Sequence, residues 1–342
     1  MSDPASLLEP AIAAVRRAAA VCRTVQAGLI DDDTLTKNDR SPVTVADFAS
    51  QAVVCDALAT ASPHIPMVAE EGSAGLREHD QAAIRAAVVA HAGPALGTDS
   101  EDTVLGAIDR GAYDPATAVR PSERHWTLDP IDGTKGFLRE QQYAVALALI
   151  EQGRLVLGVL ACPSLPADLG DASIAPTGEG VILTAVAGGG AQQAVLPAAT
   201  DEPLRFEPVR VSDLTDPAAT RFCESVESGH SDQDASAQIA RRLGIVTPPV
   251  RMDSQCKYAA VARGDASIYL RLPIRADYIE KVWDHAAGAL VVAEAGGMVT
   301  DIEGHPLDFT HGRGLSRNRG VIATNGAIHD AVVAAVGAVV NA

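Results

Sequence analysis

The stretch Asp129-Pro130-Ile131-Asp132-Gly133-Thr134-Lys135-Gly136-Phe137 decides how this chain is read. It follows a strand pattern, His125-Trp126-Thr127-Leu128, so both carboxylates fall at a strand end, where layered folds commonly bind ligands. Pro130 fixes one φ angle, and the turn lets Asp129 and Asp132 face one point. Gly133 permits close backbone approach to a ligand, and Thr134 adds a hydroxyl. Two carboxylates with an available backbone carbonyl make a hard oxygen site of the kind Mg²⁺ prefers. An ordinary Asp- and Gly-rich turn would need neither the second Asp three residues on nor the Thr-Lys-Gly continuation.

Working outward, Glu70-Glu71-Gly72 follows the short strand Met67-Val68-Ala69. Adjacent like charges repel, and a shared cation would offset that; alone, the pair reads as a solvated loop. Asp47 is expected in the first turn of a helix starting near Thr44, and Asp284 at the start of a helix over Trp283–Ala295. In both places a carboxylate has a plain structural role, favouring the positive end of the helix dipole.

The rest of the chain supplies the frame. Residues 5–29 and a segment from about Thr44 to Leu58 have helical periodicity, and two more helical stretches occupy about 79–110. Tyr143–Ile150 and Leu155–Ala161, joined by Glu-Gln-Gly-Arg, read as a hairpin. Val181–Ala187 is a further strand. After a Pro-, Ala- and acid-rich stretch at Leu196–Asp216, strands and helices alternate, with Ser254 a plausible helix N-cap. This predicts two domains, an α+β unit at 1–205 carrying most of the acids and an α/β unit at 206–342.

At 342 residues the chain suits about two domains, and 47% hydrophobic residues suffice for a sizeable core. Lys and Arg total 27 against 44 Asp and Glu, a net charge of −17, which disfavours nucleic-acid or anionic-membrane partners. A small phosphorylated ligand remains compatible if metal ions reverse the local sign. No apolar run approaches the roughly 20 residues of a membrane span. Five scattered cysteines, never spaced C-x-x-C, argue against a disulfide framework or structural zinc. The Met-Ser-Asp-Pro start carries no signal-peptide pattern, so a cytoplasmic protein is expected, with a monomer favoured.

Taken together, Asp129–Phe137, Glu70-Glu71, Asp47 and Trp283-Asp284, in this order, resemble the lithium-sensitive, Mg²⁺-dependent phosphatase superfamily that includes inositol monophosphatase and fructose-1,6-bisphosphatase. The narrower resemblance is to its 3′(2′),5′-bisphosphate nucleotidase branch. Four segments carry it: Lys37–Thr44, Ser225-Val226-Glu227-Ser228-Gly229-His230-Ser231, Met252–Tyr258 and Ala266–Pro273. The matches run from about residue 5 to 335.

The resemblance implies a layered α/β and α+β sandwich of the sugar-phosphatase kind, with the active site between two domains. It implies two or three Mg²⁺ ions held by Glu70, Asp129, the Ile131 carbonyl, Asp132 and Asp284. Asp129 would bridge, Glu70 and Ile131 would serve one ion, Asp132 and Asp284 the other, and Glu71 would act through water. Two such ions can clamp the attacking and leaving oxygens of an in-line displacement. Asp47 and Thr134 would orient and deprotonate the attacking water, and the N–H groups of Gly133 and Thr134 would hold the scissile phosphate. His230, Ser254, Lys257 and Arg271, with Asp284, would contact the nucleotide, Lys257 or Arg271 suiting its 5′-phosphate. The implied reaction is hydrolysis of adenosine 3′,5′-bisphosphate to AMP and phosphate, extending to the 2′ isomer and 3′-phosphoadenylyl sulfate. The rivals are an inositol mono- or polyphosphate phosphatase with the same metal site, and a catalytically idle nucleotide-binding regulator. His285, His305 and His311 show no metal-ligand spacing, and Cys256 reads as packing.

Overall fold

The computed structural model describes residues 3–31, 41–167, 179–226, 233–273, 275 and 277–340. Its larger sheet runs in sequence order, β1 (Met67–Ala69), β2 (Arg124–Asp132), β3 (Ala144–Glu151), β4 (Arg154–Cys162), β5 (Gly180–Val186), β6 (Gly190–Leu196) and β7 (Glu207–Val209). Only the β1–β2 pair is parallel. The second sheet has five strands: β8 (Phe222–Glu224), β9 (Val250–Arg251), β10 (Ile268–Arg271), β11 (Met298–Thr300) and β12 (Val321–Thr324), in the order β11-β12-β10-β8-β9.

Strand β3 shows how the layers form. Val145, Leu147 and Leu149 leave on one face and Ala144, Ala146, Ala148 and Ile150 on the other, all buried, as the two-residue period of a strand requires. The first set packs with α1 (Leu8–Asp31), α2 (Ser41–Ala61), α3 (Ala82–Leu96) and α4 (Glu101–Asp109) in one core. The second set, mostly alanine, admits a close layer of helices behind it. A short helix, α5 (Thr134–Leu138), follows β2; α6 (Gln233–Arg242) comes next in the chain, and then α7 (Cys256–Ala262) and α8 (Ala286–Glu294) form that inner layer. A third core lies between the small sheet, α6 and α9 (His329–Val340). The result is helix–sheet–helix–sheet–helix, the layered α/β arrangement expected.

Two local boundaries differ from the sequence expectation. The helix expected from Trp283 begins at Ala286, leaving Trp283 and Asp284 in a turn. Asp47 lies in the second turn of α2, which starts at Ser41, so the dipole argument for it weakens. The large sheet also takes its last strand from Glu207–Val209, beyond residue 205. Among the described residues no helix is long and apolar enough to cross a membrane.

The feature that sets up the site is a bulge at the end of β2. Asp129 lies opposite Ala146 and Asp132 opposite Ala144, so three steps along β2 match two along β3. Without that extra residue Asp129 and Asp132 would leave on opposite faces. With it, both share the face of Ala144 and Ala146, towards the inner helices. The Ser50 hydroxyl donates to the Pro130 carbonyl at 3.0 Å, and the Ile131 N–H donates to Asp129 Oδ1 at 3.1 Å, which pins the irregular backbone.

Candidate active site

A cavity of about 320 Å³ opens where the end of β2 meets the inner layer. Glu70, Asp129, Ile131, Asp132, Gly133 and Thr134 line it from the first half of the chain. Ser254, Lys257, Arg271 and Asp284 line it from the second. Ten of the residues singled out in the sequence thus meet in one space. Asp47 stands behind this lining on α2, and its charge acts on Asp129. His230 lies outside the described residues.

Gly133 makes the meeting possible. Its φ is +92°, and a Cβ there would come within 2.8 Å of the Ser254 Cβ. Any other residue would push apart the turn that carries the acids and the loop that carries Ser254. Ser254 is itself left-handed at φ +65°, and its Oγ accepts from the Cys256 N–H at 3.2 Å. The residue at the N-cap position of α7 is Gln255, whose side chain makes no capping bond; Ser254, expected at that position, lies one residue earlier and caps the Cys256 N–H from there. Gln255 ties the halves together. Its N–H donates to Asp132 Oδ2 at 2.5 Å, its side-chain amide donates to the Trp283 carbonyl at 2.9 Å, and its Oε1 accepts from the Gly288 N–H at 3.0 Å.

The carboxylates repel one another. Burial, reinforced by Glu70, Asp132, Asp284 and Asp47, drives Asp129 well above the usual carboxylate range. Loss of solvent and the charges of Glu71 and Asp132 push Glu70 up to about 7. Asp284 is pushed up to about 7 by burial, against the pull of Arg271 and His285. Asp132 and Asp47 are raised too, chiefly by burial. Glu71 is held at its backbone, where Gln51 both accepts from its N–H at 3.0 Å and donates to its carbonyl at 2.7 Å.

The opposite wall is already satisfied. Lys257, an ordinary solvated helix lysine by its sequence context, is only 4% exposed. Its ammonium sits 5.3 Å from the centre of the Tyr269 ring and 3.4 Å from the Met252 carbonyl. Arg271 pairs with Glu280 at 2.7 Å and reaches Asp284 at 3.6 Å. Glu280 also meets His285 Nε2 at 3.1 Å, and His285 Nδ1 meets the Tyr258 hydroxyl at 2.8 Å. Although burial works the other way, His285 and Arg271 hold Glu280 down at about 2. Ligand atoms of Glu280, Asp284 and His285 lie within 4.8 Å of one another, close enough for a shared cation. Glu280 is already engaged by the Arg271 ion pair and the His285 contact, which leaves Asp284 as the member of that group facing the acids.

The family profile for the inositol monophosphatase family matches residues 3–340. The chain belongs to the inositol monophosphatase family. Within it, the chain is 45% identical over 343 aligned residues to a 3′(2′),5′-bisphosphate nucleotidase of Schizosaccharomyces pombe, covering 97% of this chain and 95% of the relative. It is 44% identical to a 3′(2′),5′-bisphosphate nucleotidase of Oryza sativa, covering 94% and 90%. Among solved structures it is similar to inositol monophosphatase from Anabaena, with a TM-score of 0.61 at 21% identity, covering 98% of this chain and 96% of that one. CysQ from Bacteroides thetaiotaomicron gives a TM-score of 0.59 at 20% identity, covering 92% and 96%. These structural likenesses support the fold.

The inositol monophosphatase family is metal-dependent, and the donor set here suits a hard divalent cation. Four carboxylates and the Ile131 carbonyl line one cavity, every donor is oxygen, and the acids lack enough nearby positive charge to offset their repulsion. The sequence reading missed Glu280, Gln255 and Tyr269. Glu280 carried a faint signal, an acid four residues before Asp284; the other two became visible only through contacts between distant segments.

Proposed function

We propose that the chain is a Mg²⁺-dependent phosphatase that removes the 3′-phosphate of adenosine 3′,5′-bisphosphate, giving AMP and phosphate. The 2′ isomer and 3′-phosphoadenylyl sulfate fall within the same reading. The observation that carries it is the pairing in one cavity of a crowded acid wall with Lys257 and Arg271 on the facing wall. That arrangement fits a ligand with two separate phosphates, one reacting and one only bound, and it accords with the relatives named 3′(2′),5′-bisphosphate nucleotidase.

Glu70, Asp129, the Ile131 carbonyl, Asp132 and Asp284 would hold two or three Mg²⁺ ions, which neutralise the phosphate dianion and acidify the attacking water. Thr134, the first residue of α5, and Asp47 form the water-orienting pair: burial and the charges of Glu71 and Glu70 raise the pKa of Asp47, which makes it a stronger base than a free carboxylate. The Gly133 and Thr134 N–H groups, at the start of α5, donate to the scissile phosphate. Lys257 and Arg271 bind the second phosphate, and Ser254 and His230 complete the nucleotide contacts. One chain supplies all these residues, so the site needs no partner subunit. The five cysteines are unpaired and buried, which suits a reducing cytoplasm.

Phosphate release from adenosine 3′,5′-bisphosphate and from inositol 1-phosphate, each with Mg²⁺ and with EDTA, tests this reading. Release from the nucleotide that EDTA abolishes is expected. Release mainly from inositol 1-phosphate would keep the metal site and overturn the roles of Lys257 and Arg271. Nucleotide binding with no Mg²⁺-dependent release would make the protein a regulator.

A further inference from the structure

Glu70 and Asp284 approach the cavity from different layers, Glu70 after β1 of the large sheet and Asp284 from the turn before α8. One side chain touches the residue before each of them. The Arg313 guanidinium lies over the Trp283 indole at 4.7 Å from the ring centre, and Nη2 donates to the Ala69 carbonyl at 2.5 Å. Nη1 adds a longer bond to the Tyr113 carbonyl at 3.4 Å. The backbone around it is tied to the same turn: the Val282 N–H donates to the Arg313 carbonyl at 3.2 Å, and the Leu315 N–H donates to the Glu280 carbonyl at 2.9 Å. Among the described residues the Trp283 indole Nε1 is buried with no acceptor, so no hydrogen bond orients that ring. Its orientation rests on core packing and on the stacking of its face against Arg313.

We propose that Arg313 is a positioning residue that sets the spacing between Glu70 and Asp284, and so the fit of the divalent cation between the two layers. The proposal rests on the metal-site reading above. An arginine can lay its plane on an aromatic face while its edge donates to two carbonyls in a fixed fork; a lysine offers a compact point charge with no plane to stack and no fixed fork. Groups that hold metal ligands in place commonly matter ten-fold or more to metal affinity without touching the ion.

The test is Mn²⁺ binding to the substrate-free protein, followed by electron paramagnetic resonance, with circular dichroism to confirm folding. Arg313→Lys is expected to weaken Mn²⁺ binding on the order of ten-fold. Trp283→Leu, which removes the aromatic face, is expected to do the same. Trp283→Phe keeps a face and loses no hydrogen bond, so it should stay within about two-fold of the parent. A merely structural role would not separate Phe from Leu in metal affinity at equal folded fraction. If Arg313→Lys does not fold, the Trp283 pair decides. Parental affinity in Arg313→Lys, or equal affinity in the two Trp283 variants, overturns the proposal while leaving the metal site intact. A parent protein that takes up no divalent cation would instead overturn the metal-site reading, and this inference with it.

Discussion

The two walls of the cavity are built on opposite electrostatic plans. The acid wall from β1 and β2 holds Glu70, Asp129 and Asp132 with too little positive charge to balance them, and Asp47 and Glu71 add to the strain. The wall from α7, β10 and the turn before α8 is largely paired within itself, with Arg271 on Glu280, Glu280 on His285, His285 on Tyr258 and Lys257 on Tyr269, and only its Asp284 faces the acids. A buried charge left unpaired costs several kcal/mol, so the first wall depends on something added from outside and the second does not. On the function proposed above, the unbalanced acids, with Asp284, serve the reaction and the paired cations serve recognition.

The largest test of that contrast is Asp129→Asn. It should lower turnover at least about a thousand-fold, roughly 4 kcal/mol of barrier. In EDTA the same change relieves repulsion and should raise the thermal midpoint. Phosphate release together with thermal unfolding measures both, and an active variant would break the assignment of the acid wall.

On the balanced wall, Arg271→Ala should raise KM for adenosine 3′,5′-bisphosphate by an amount worth about 2–4 kcal/mol, with a much smaller effect on a monophosphate substrate. It should also destabilise the protein, because Glu280 loses a partner in a buried network. Equal losses on both substrates would show that Arg271 serves the reaction centre rather than the second phosphate.

Mg²⁺ should stabilise the parent protein by about 2.7 kcal/mol at a hundred times its dissociation constant, and should do so far less in Asp129→Asn. Unfolding by urea with and without the ion measures the difference. An equal gain in both would place the ion elsewhere.

The smallest effect sharpens the comparison by separating a pH response that has nothing to do with the acid wall. His125 on β2 is buried, neither ring nitrogen has a hydrogen-bond partner among the described residues, and burial lowers its pKa from 6.5 to about 4. The unfolded chain therefore binds a proton at His125 between those values while the folded chain does not. Stability from this source is complete above pH 6.5 and is lost as pH falls towards 4, about 2 kcal/mol of it by pH 5. The raised carboxylates act with the opposite sign: metal-free, they penalise the fold at neutral pH and release that penalty on acidification. Unfolding across pH 5–7 with saturating Mg²⁺ isolates the histidine, and His125→Phe should flatten the slope.

Much of this was legible locally. Hydrophobic periodicity located α1, and the Gln152–Gly153 turn, both residues at positive φ, closes the hairpin where Glu-Gln-Gly-Arg stood. The start of α8 was misplaced because Trp283 and Asp284 are compatible with a helix in isolation, and tertiary contacts from Arg313 and Gln255 hold the turn that precedes it.

The candidate reacting groups were legible in the sequence itself. A strand, two aspartates three apart, a glycine and a threonine specify an oxygen site at a strand end, because those residue types have few other uses in that order. Whether the two aspartates meet on one face was decided by the bulge opposite Ala144 and Ala146, a property of pairing between strands. Lys257 and Arg271 stood apart from surface charges only through the family resemblance, and Glu280 was not singled out at all. Burial depends on which distant segments close over a side chain, and only the assembled layers bring those segments together.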